Sequence, residues 1–111
     1  MAVQLGLDVS RGETAAVLVS GELDAFAARG LEDQLTRLAA RGIVDIALDF
    51  SEVAFVDSYG LAALSRVREH VRALGGELTV CHASPQARRV AALVQFAFSP
   101  APAGVENAAV G

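Results

Sequence analysis

Asp57 and Ser58 are the residues whose types and position point most directly to chemistry. They follow a short apolar run, residues 53–56, and precede a segment with helical periodicity. The N–H groups in the first turn of a helix lack intrahelical acceptors and carry the positive end of the helix dipole. A serine hydroxyl there caps the helix or, once phosphorylated, brings its phosphate to free donors. Gly60 leaves the backbone of this turn bare, which predicts close approach by another molecule.

The same block has three other interpretations. In the simplest, Asp57 or Ser58 is only a helix cap, because Asp and Ser are common at that position. A hydrolase nucleophile would need the pattern Gly-x-Ser-x-Gly, and Val56 stands where its first glycine would be. A phosphoaspartate receiver built on Asp49 or Asp57 would need an acidic pair after the first strand and a lysine beyond. Asp8 is a lone acid and the chain has no lysine.

Metal and redox chemistry have few candidates in this sequence. Cys81 is the only cysteine and lies in an apolar segment, which predicts a buried, unreactive thiol. His70 and His82 do not have the spacing of zinc ligands. Glu22 and Asp24 are a weak candidate for a pair of catalytic carboxylates, because two acidic residues at this spacing are common in loops. We therefore expect no metal, no cofactor and no catalytic residue.

Composition excludes further classes of protein. The chain has 111 residues and a formal net charge of -4, and its nine basic side chains are all arginine. The absence of lysine excludes a Walker A loop, a Schiff-base enzyme and a protein kinase in their usual forms. The acidic balance argues against nucleic acid or an anionic membrane as a partner. No signal-peptide pattern or apolar stretch of roughly 18 residues is present, so we expect a cytoplasmic protein without membrane insertion.

Strand and helix patterns alternate along the chain. Alternation and apolar runs predict strands over residues 3–9, 14–20, 43–50 and 78–82, and residues 53–56 form a further short apolar run. Apolar spacings of three and four predict helices that begin after Asp24, at Asp57-Ser58 and at Ser84-Pro85. Breaks or turns are predicted at Arg11-Gly12, Gly21-Glu22, Gly42, Ser51-Glu52 and Gly75-Gly76. The third helix is predicted to bury Val90, Leu93 and Val94.

This order predicts an α/β fold with one mixed, mostly parallel β-sheet. Helices between strands imply crossover connections and parallel pairing, and the first two strands form an antiparallel hairpin at one edge. We expect a single domain over residues 1–98. Residues 99–111 are expected to form a weakly structured tail with one short helix over 105–110.

Three segments, in this order and spacing, resemble the STAS-domain family, and within it the single-domain bacterial anti-sigma factor antagonists. They are Gly21-Glu22-Leu23-Asp24, Leu48-Asp49-Phe50-Ser51 and Phe55-Val56-Asp57-Ser58-Tyr59-Gly60-Leu61. The resemblance covers roughly residues 3–96. It implies a mixed sheet with helices on one side, in agreement with the element order.

The resemblance also implies a partner-switching function. Such a protein is not an enzyme. It binds an anti-sigma factor that is also a serine kinase, frees the sigma factor for transcription, and is released when that kinase phosphorylates it. A PP2C-type phosphatase resets it. Carried over by position, Ser58 is the phosphorylation site, and the partner-binding residues are Asp24, Asp57, Ser58, Tyr59 and Gly60.

Two other functions remain open on the sequence. STAS-like subunits of membrane lipid-transport complexes carry a similar Asp-Ser/Thr-x-Gly block, so the chain could be a structural adaptor. A small-molecule or nucleotide sensor is a third class, although the sequence has no glycine-rich phosphate loop. Tyr59 departs from the family pattern, because many relatives have a small hydroxyl residue there. It is either a contact anchor or a half-buried side chain at the helix start.

Overall fold

Four strands and three helices alternate in a computed structural model of the protein that describes residues 2–8 and 14–93. The expected tail, residues 99–111, lies outside the described residues. In chain order the elements are β1 (Ala2–Asp8), β2 (Thr14–Leu23), α1 (Ala25–Ala40), β3 (Asp45–Val56), α2 (Ser58–Ala73), β4 (Glu77–Cys81) and α3 (Pro85–Leu93).

The sheet has the strand order β1-β2-β3-β4. The first pair is antiparallel and the other two pairs are parallel. Helices α1 and α2 carry the chain back to the end of the sheet where the preceding strand began, so β3 and β4 run in the same direction as β2. The predicted mixed sheet with an N-terminal hairpin is therefore confirmed. Alternate residues of β2, β3 and β4 are buried on the face that the helices cover: Ala15, Val17, Val19, Ile46, Leu48, Phe50, Leu78 and Val80.

The predicted turn at Ser51-Glu52 is wrong, because β3 is one continuous strand. Between Leu18 and Ser20 of β2, the pairing on β3 advances from Asp49 to Glu52, so β3 carries an extra residue there. The Ser51 N–H donates to the Asp49 carboxylate over 2.8 Å. Side-chain bonding of this kind imitates a turn and accounts for the turn-like sequence.

The end of β2 also departs from the sequence prediction. The strand continues through Gly21 and Glu22 to Leu23 instead of breaking. Gly21 has a φ of 96°, a conformation that glycine adopts without steric cost, and the register shifts beside it. The irregular backbone lets β2 follow β3 to its end. As a result, Leu23 pairs with Val56.

Helix α3 buries different residues from those predicted. Ala87 and Ala91 are buried, Val90 is partly buried, and Leu93 is 85% exposed. Val94 lies outside the described residues. Alanines four residues apart share one helix face, and their small side chains let α3 approach α2 and β3 closely. The predicted start is confirmed, because the Ser84 hydroxyl accepts the Ala87 N–H at 3.1 Å.

Cys81 is buried at the end of β4, as predicted. Its Sγ lies 3.4 Å from the Leu48 carbonyl oxygen. Burial, and then the negative charge of Asp49, raise the pKa of this thiol. The thiolate, which is the reactive form, is therefore disfavoured.

Candidate functional site

Two helix N-termini lie side by side at one end of the sheet. Leu23 and Val56 are the last residues of two paired parallel strands, and Asp24 and Asp57 follow them directly. The Asp57 N–H donates to the Leu23 carbonyl oxygen over 3.2 Å, which ties the two strand ends together. The sheet therefore brings Asp24 next to the Asp57-Ser58 block, as the partner-binding prediction requires.

Both aspartates are helix N-caps. The Asp24 carboxylate accepts the Ala27 N–H at 2.8 Å, and the Asp57 carboxylate accepts the Gly60 N–H at 2.8 Å. Of the two candidates for the cap of α2, Asp57 rather than Ser58 is the one that caps it. Ser58 is the first residue of α2 and is exposed. Since Asp57 is the cap, the Ser58 hydroxyl is not needed for that purpose and faces solvent at the positive end of the helix dipole.

Gly60 does not leave an open approach for another molecule. It is buried, and a Cβ added to it would lie 2.5 Å from the Leu23 carbonyl oxygen. The chain itself therefore occupies the space that the glycine leaves. Gly60 lets α2 begin directly against the end of β2, so it positions Ser58 rather than offering a surface of its own.

Gln86 holds the end of β3 from the other side. Its side-chain amide donates to the Val56 carbonyl oxygen at 2.8 Å and accepts the Val56 N–H at 3.1 Å. Both backbone groups of the residue before Asp57 are thus satisfied by one side chain of α3. Sequence reasoning missed Gln86, because only the fold brings residues thirty positions apart together.

Exposed aromatic side chains surround this end of the molecule. Tyr59 is 70% exposed, which excludes the half-buried alternative, and Phe26 is 89% exposed. Each is the second residue of its helix and follows the capping aspartate by two positions. Phe55, which lies near the end of β3 and two residues before Asp57, is 43% exposed. Sequence reasoning missed both phenylalanines, although Phe26 lies off the apolar stripe of α1.

A second polar pair lies beside the β-bulge. The His82 Nδ1 is 3.1 Å from Asp49 Oδ1, and His82 has a φ of 62°, a left-handed conformation that is uncommon for a residue with a side chain. Partial burial raises the pKa of Asp49, but hydrogen bonds from Ser51 and His82 lower it by more, so the net shift is downward. The Asp49 carboxylate is already engaged by Ser51 and His82, which argues against its being the phosphorylated aspartate of a receiver.

Asp49→Asn is expected to remove part of the acid sensitivity of the fold. A carboxyl whose pKa is lowered by folding stabilises the protein above its unfolded pKa of about 3.9 and loses that contribution as pH falls through the folded pKa. The stability advantage of the native protein over Asp49→Asn should therefore shrink between about pH 5 and pH 3. Urea unfolding across that range measures it, with Asp33→Asn on the exposed side of α1 as the control. An advantage independent of pH would contradict the assignment.

Within residues 14–93, no three His, Cys, Asp or Glu side chains are grouped so that they could hold a metal ion. None of the helices described is long and apolar enough to cross a bilayer.

Comparison with known proteins decides the family. The model of the STAS domain matches residues 9–107 of the chain. The chain belongs to the STAS-domain family. The STAS domain has the fold of the Bacillus anti-sigma factor antagonist SpoIIAA. The unphosphorylated form superposes with a TM-score of 0.73 at 24% identity, over 96% of this chain and 94% of SpoIIAA. The phosphorylated form of SpoIIAA superposes with a TM-score of 0.71 at 23% identity, over 99% of this chain and 100% of that chain.

Two further structures show how the STAS fold is used elsewhere. An anti-sigma factor antagonist from Mycobacterium paratuberculosis is 26% identical, with a TM-score of 0.72 over 96% of this chain and 93% of that chain. The murine anion transporter Slc26a9 is 20% identical, with a TM-score of 0.58 over 68% of this chain and 13% of the transporter. The fold therefore occurs both as a separate protein and as a small part of a transporter.

Proposed function

We propose that this STAS domain is an anti-sigma factor antagonist that regulates sigma-factor-dependent transcription. It binds an anti-sigma factor with serine kinase activity, and phosphorylation of Ser58 releases it. A PP2C-type phosphatase restores the binding form. The domain itself is a cytoplasmic binding module, and catalysis belongs to the kinase and the phosphatase.

The exposed hydroxyl of Ser58 is the observation that carries this proposal. It stands at the start of α2, between a capping aspartate and an exposed tyrosine, where a kinase has access to it. The similarity to antagonists of comparable length adds support, since one of them has been solved with and without phosphate.

Phosphorylation changes this surface without a need to change the fold. A phosphate adds about -1.5 to -2 charge at neutral pH. It lies beside the Asp57 carboxylate and close to the exposed Asp24, where the surface already carries negative charge. A partner that packs closely over a neutral hydroxyl would have to bury the added charge, which is costly unless it is paired. The affinity of the partner therefore falls while the domain stays folded.

A role as a transporter adaptor is the second candidate. The observation that favours it is the STAS-like fold within the Slc26a9 transporter chain. In that case Ser58 would be a structural residue at a helix start, and binding would not depend on its phosphorylation.

A pull-down from lysate of the source organism separates the two functions. Baits carrying Ser58→Ala and Ser58→Glu are compared by mass spectrometry of the bound proteins. The antagonist function predicts a serine-kinase-type protein on the alanine bait and its loss from the glutamate bait. Recovery of the same transporter components on both baits would overturn the proposal in favour of the adaptor.

A further inference from the structure

Aromatic residues are distributed unevenly over the described residues 14–93. Phe50 is fully buried in the core, whereas Phe26, Phe55 and Tyr59 are exposed. All three exposed aromatics lie where β2 and β3 end and where α1 and α2 begin. Single exposed apolar residues are normal on a protein surface, but a group confined to one end marks an interaction site.

Phe26 and Tyr59 occupy matching positions on the two helices. Each is the second helical residue after a capping aspartate, and α1 packs against α2. The paired strand ends fix the two N-termini relative to each other through the contacts of Leu23. A partner that covers Ser58 closely therefore meets a second rigid helix start beside it, with a phenylalanine exposed.

The two segments that join β2 to α1 and β3 to α2 carry acidic charge only. The segments 20–26 and 51–60 contain the exposed carboxylates Glu22, Asp24 and Glu52 and no basic residue. The first arginine along α1 is Arg29, which is exposed three residues after Phe26 and therefore neighbours it on the helix surface. A complementary surface has apolar pockets for the aromatic rings and a border of arginine or lysine.

We propose that Phe26 is an anchor residue for the anti-sigma kinase, so that the first turn of α1 adds an apolar contact to those at Asp24 and the Ser58 block. The proposal rests on the proposed function and adds a specificity-determining residue on an element that phosphorylation does not alter. The surface of the kinase that binds here has an apolar pocket for the Phe26 ring, and basic side chains border that pocket. Phe26 then contributes to affinity in both phosphorylation states, whereas Ser58 controls the difference between them.

Phe26→Ala is expected to weaken binding by about tenfold or more, as for anchor residues at other interfaces. The probe is the serine kinase recovered on the Ser58→Ala bait, purified and titrated by calorimetry. Leu74→Ala is the matched control, because Leu74 is 52% exposed at the far end of α2, about 24 Å from Ser58. Both variants should keep the native urea midpoint, since both side chains are exposed.

The outcomes separate this inference from the proposed function. A tenfold loss for Phe26→Ala with no change for Leu74→Ala supports the anchor, and Phe26→Tyr should retain most of the affinity. Affinity of Phe26→Ala within twofold of native, while Ser58→Glu still weakens binding, overturns the anchor and leaves the antagonist function standing. Recovery of the same proteins on both Ser58 baits would instead count against the function itself.

Discussion

Gly60→Ala is expected to lower the free energy of unfolding by about 1–3 kcal/mol, the usual cost of overpacking a buried site. The new Cβ would lie 2.5 Å from the Leu23 carbonyl oxygen and 3.0 Å from the Leu23 Cγ, in a region where Leu23 is completely buried. A backbone oxygen cannot rotate away as a side chain can. The start of α2 or the end of β2 must therefore shift, and the Asp57–Leu23 hydrogen bond weakens with it.

Gly30→Ala is the matched control for Gly60→Ala and should have the opposite sign. Gly30 is an exposed residue within α1, and a Cβ there has nothing within 4 Å. Since alanine is a better helix former, this variant should be more stable by about 0.8–1 kcal/mol. Urea unfolding of both variants makes the comparison. Equal stabilisation by the two substitutions would show that the contact between Gly60 and Leu23 does not constrain the site.

Short-range patterns were sufficient for most of the architecture. The alternation in residues 43–50 and the apolar run within residues 14–20 predicted both central strands, and the residue types at Asp24 and Ser84-Pro85 predicted the helix starts. These signals are local, because the period of the apolar residues and the cap chemistry are properties of a few neighbouring positions. The order of the elements then left few ways to form the sheet.

The failures are places where one distant contact overrides a local signal. Ser51-Glu52 is turn-like in sequence, but pairing with β2 keeps β3 extended. At the bulge, the Asp49 carboxylate accepts a hydrogen bond from the Ser51 N–H. Leu93 fits the apolar period of α3, yet the alanines on another face allow closer packing against the sheet. Neither outcome follows from the residues of the segment alone.

The candidate site was predicted in part for the same reason. Asp57 and Ser58 are recognisable because a cap and a hydroxyl at a helix start have a local signature. Phe26 became informative only when its exposure and its place beside α2 were known. Gly60 was noticed correctly, but its neighbour is the Leu23 carbonyl of the same chain rather than another molecule.

Phosphorylation of Ser58 is expected to reduce affinity for the anti-sigma kinase by about 100-fold or more, equivalent to about 2.8 kcal/mol. The stability of the domain should not fall, because a negative group in the first turn of a helix is favourable by about 0.3–1 kcal/mol. In the described part of the chain the Ser58 and Tyr59 N–H groups have no protein acceptor, whereas the Gly60 N–H is already taken by Asp57. The phosphate thus finds donors on its own helix, and the partner bears the cost of the charge.

Calorimetric titration of the purified kinase and urea unfolding of the same samples measure the two quantities together. Ser58→Glu should reproduce the loss of binding in part, since it carries less charge than phosphate. Thr36→Glu, on the exposed side of α1, adds the same charge away from both helix N-termini and should bind as the native protein does. Loss of binding accompanied by a lower urea midpoint would mean that phosphate acts by unfolding the domain. Loss of binding at constant stability places the switch in the contact surface, where Ser58 sets the affinity and the fold beneath it stays fixed.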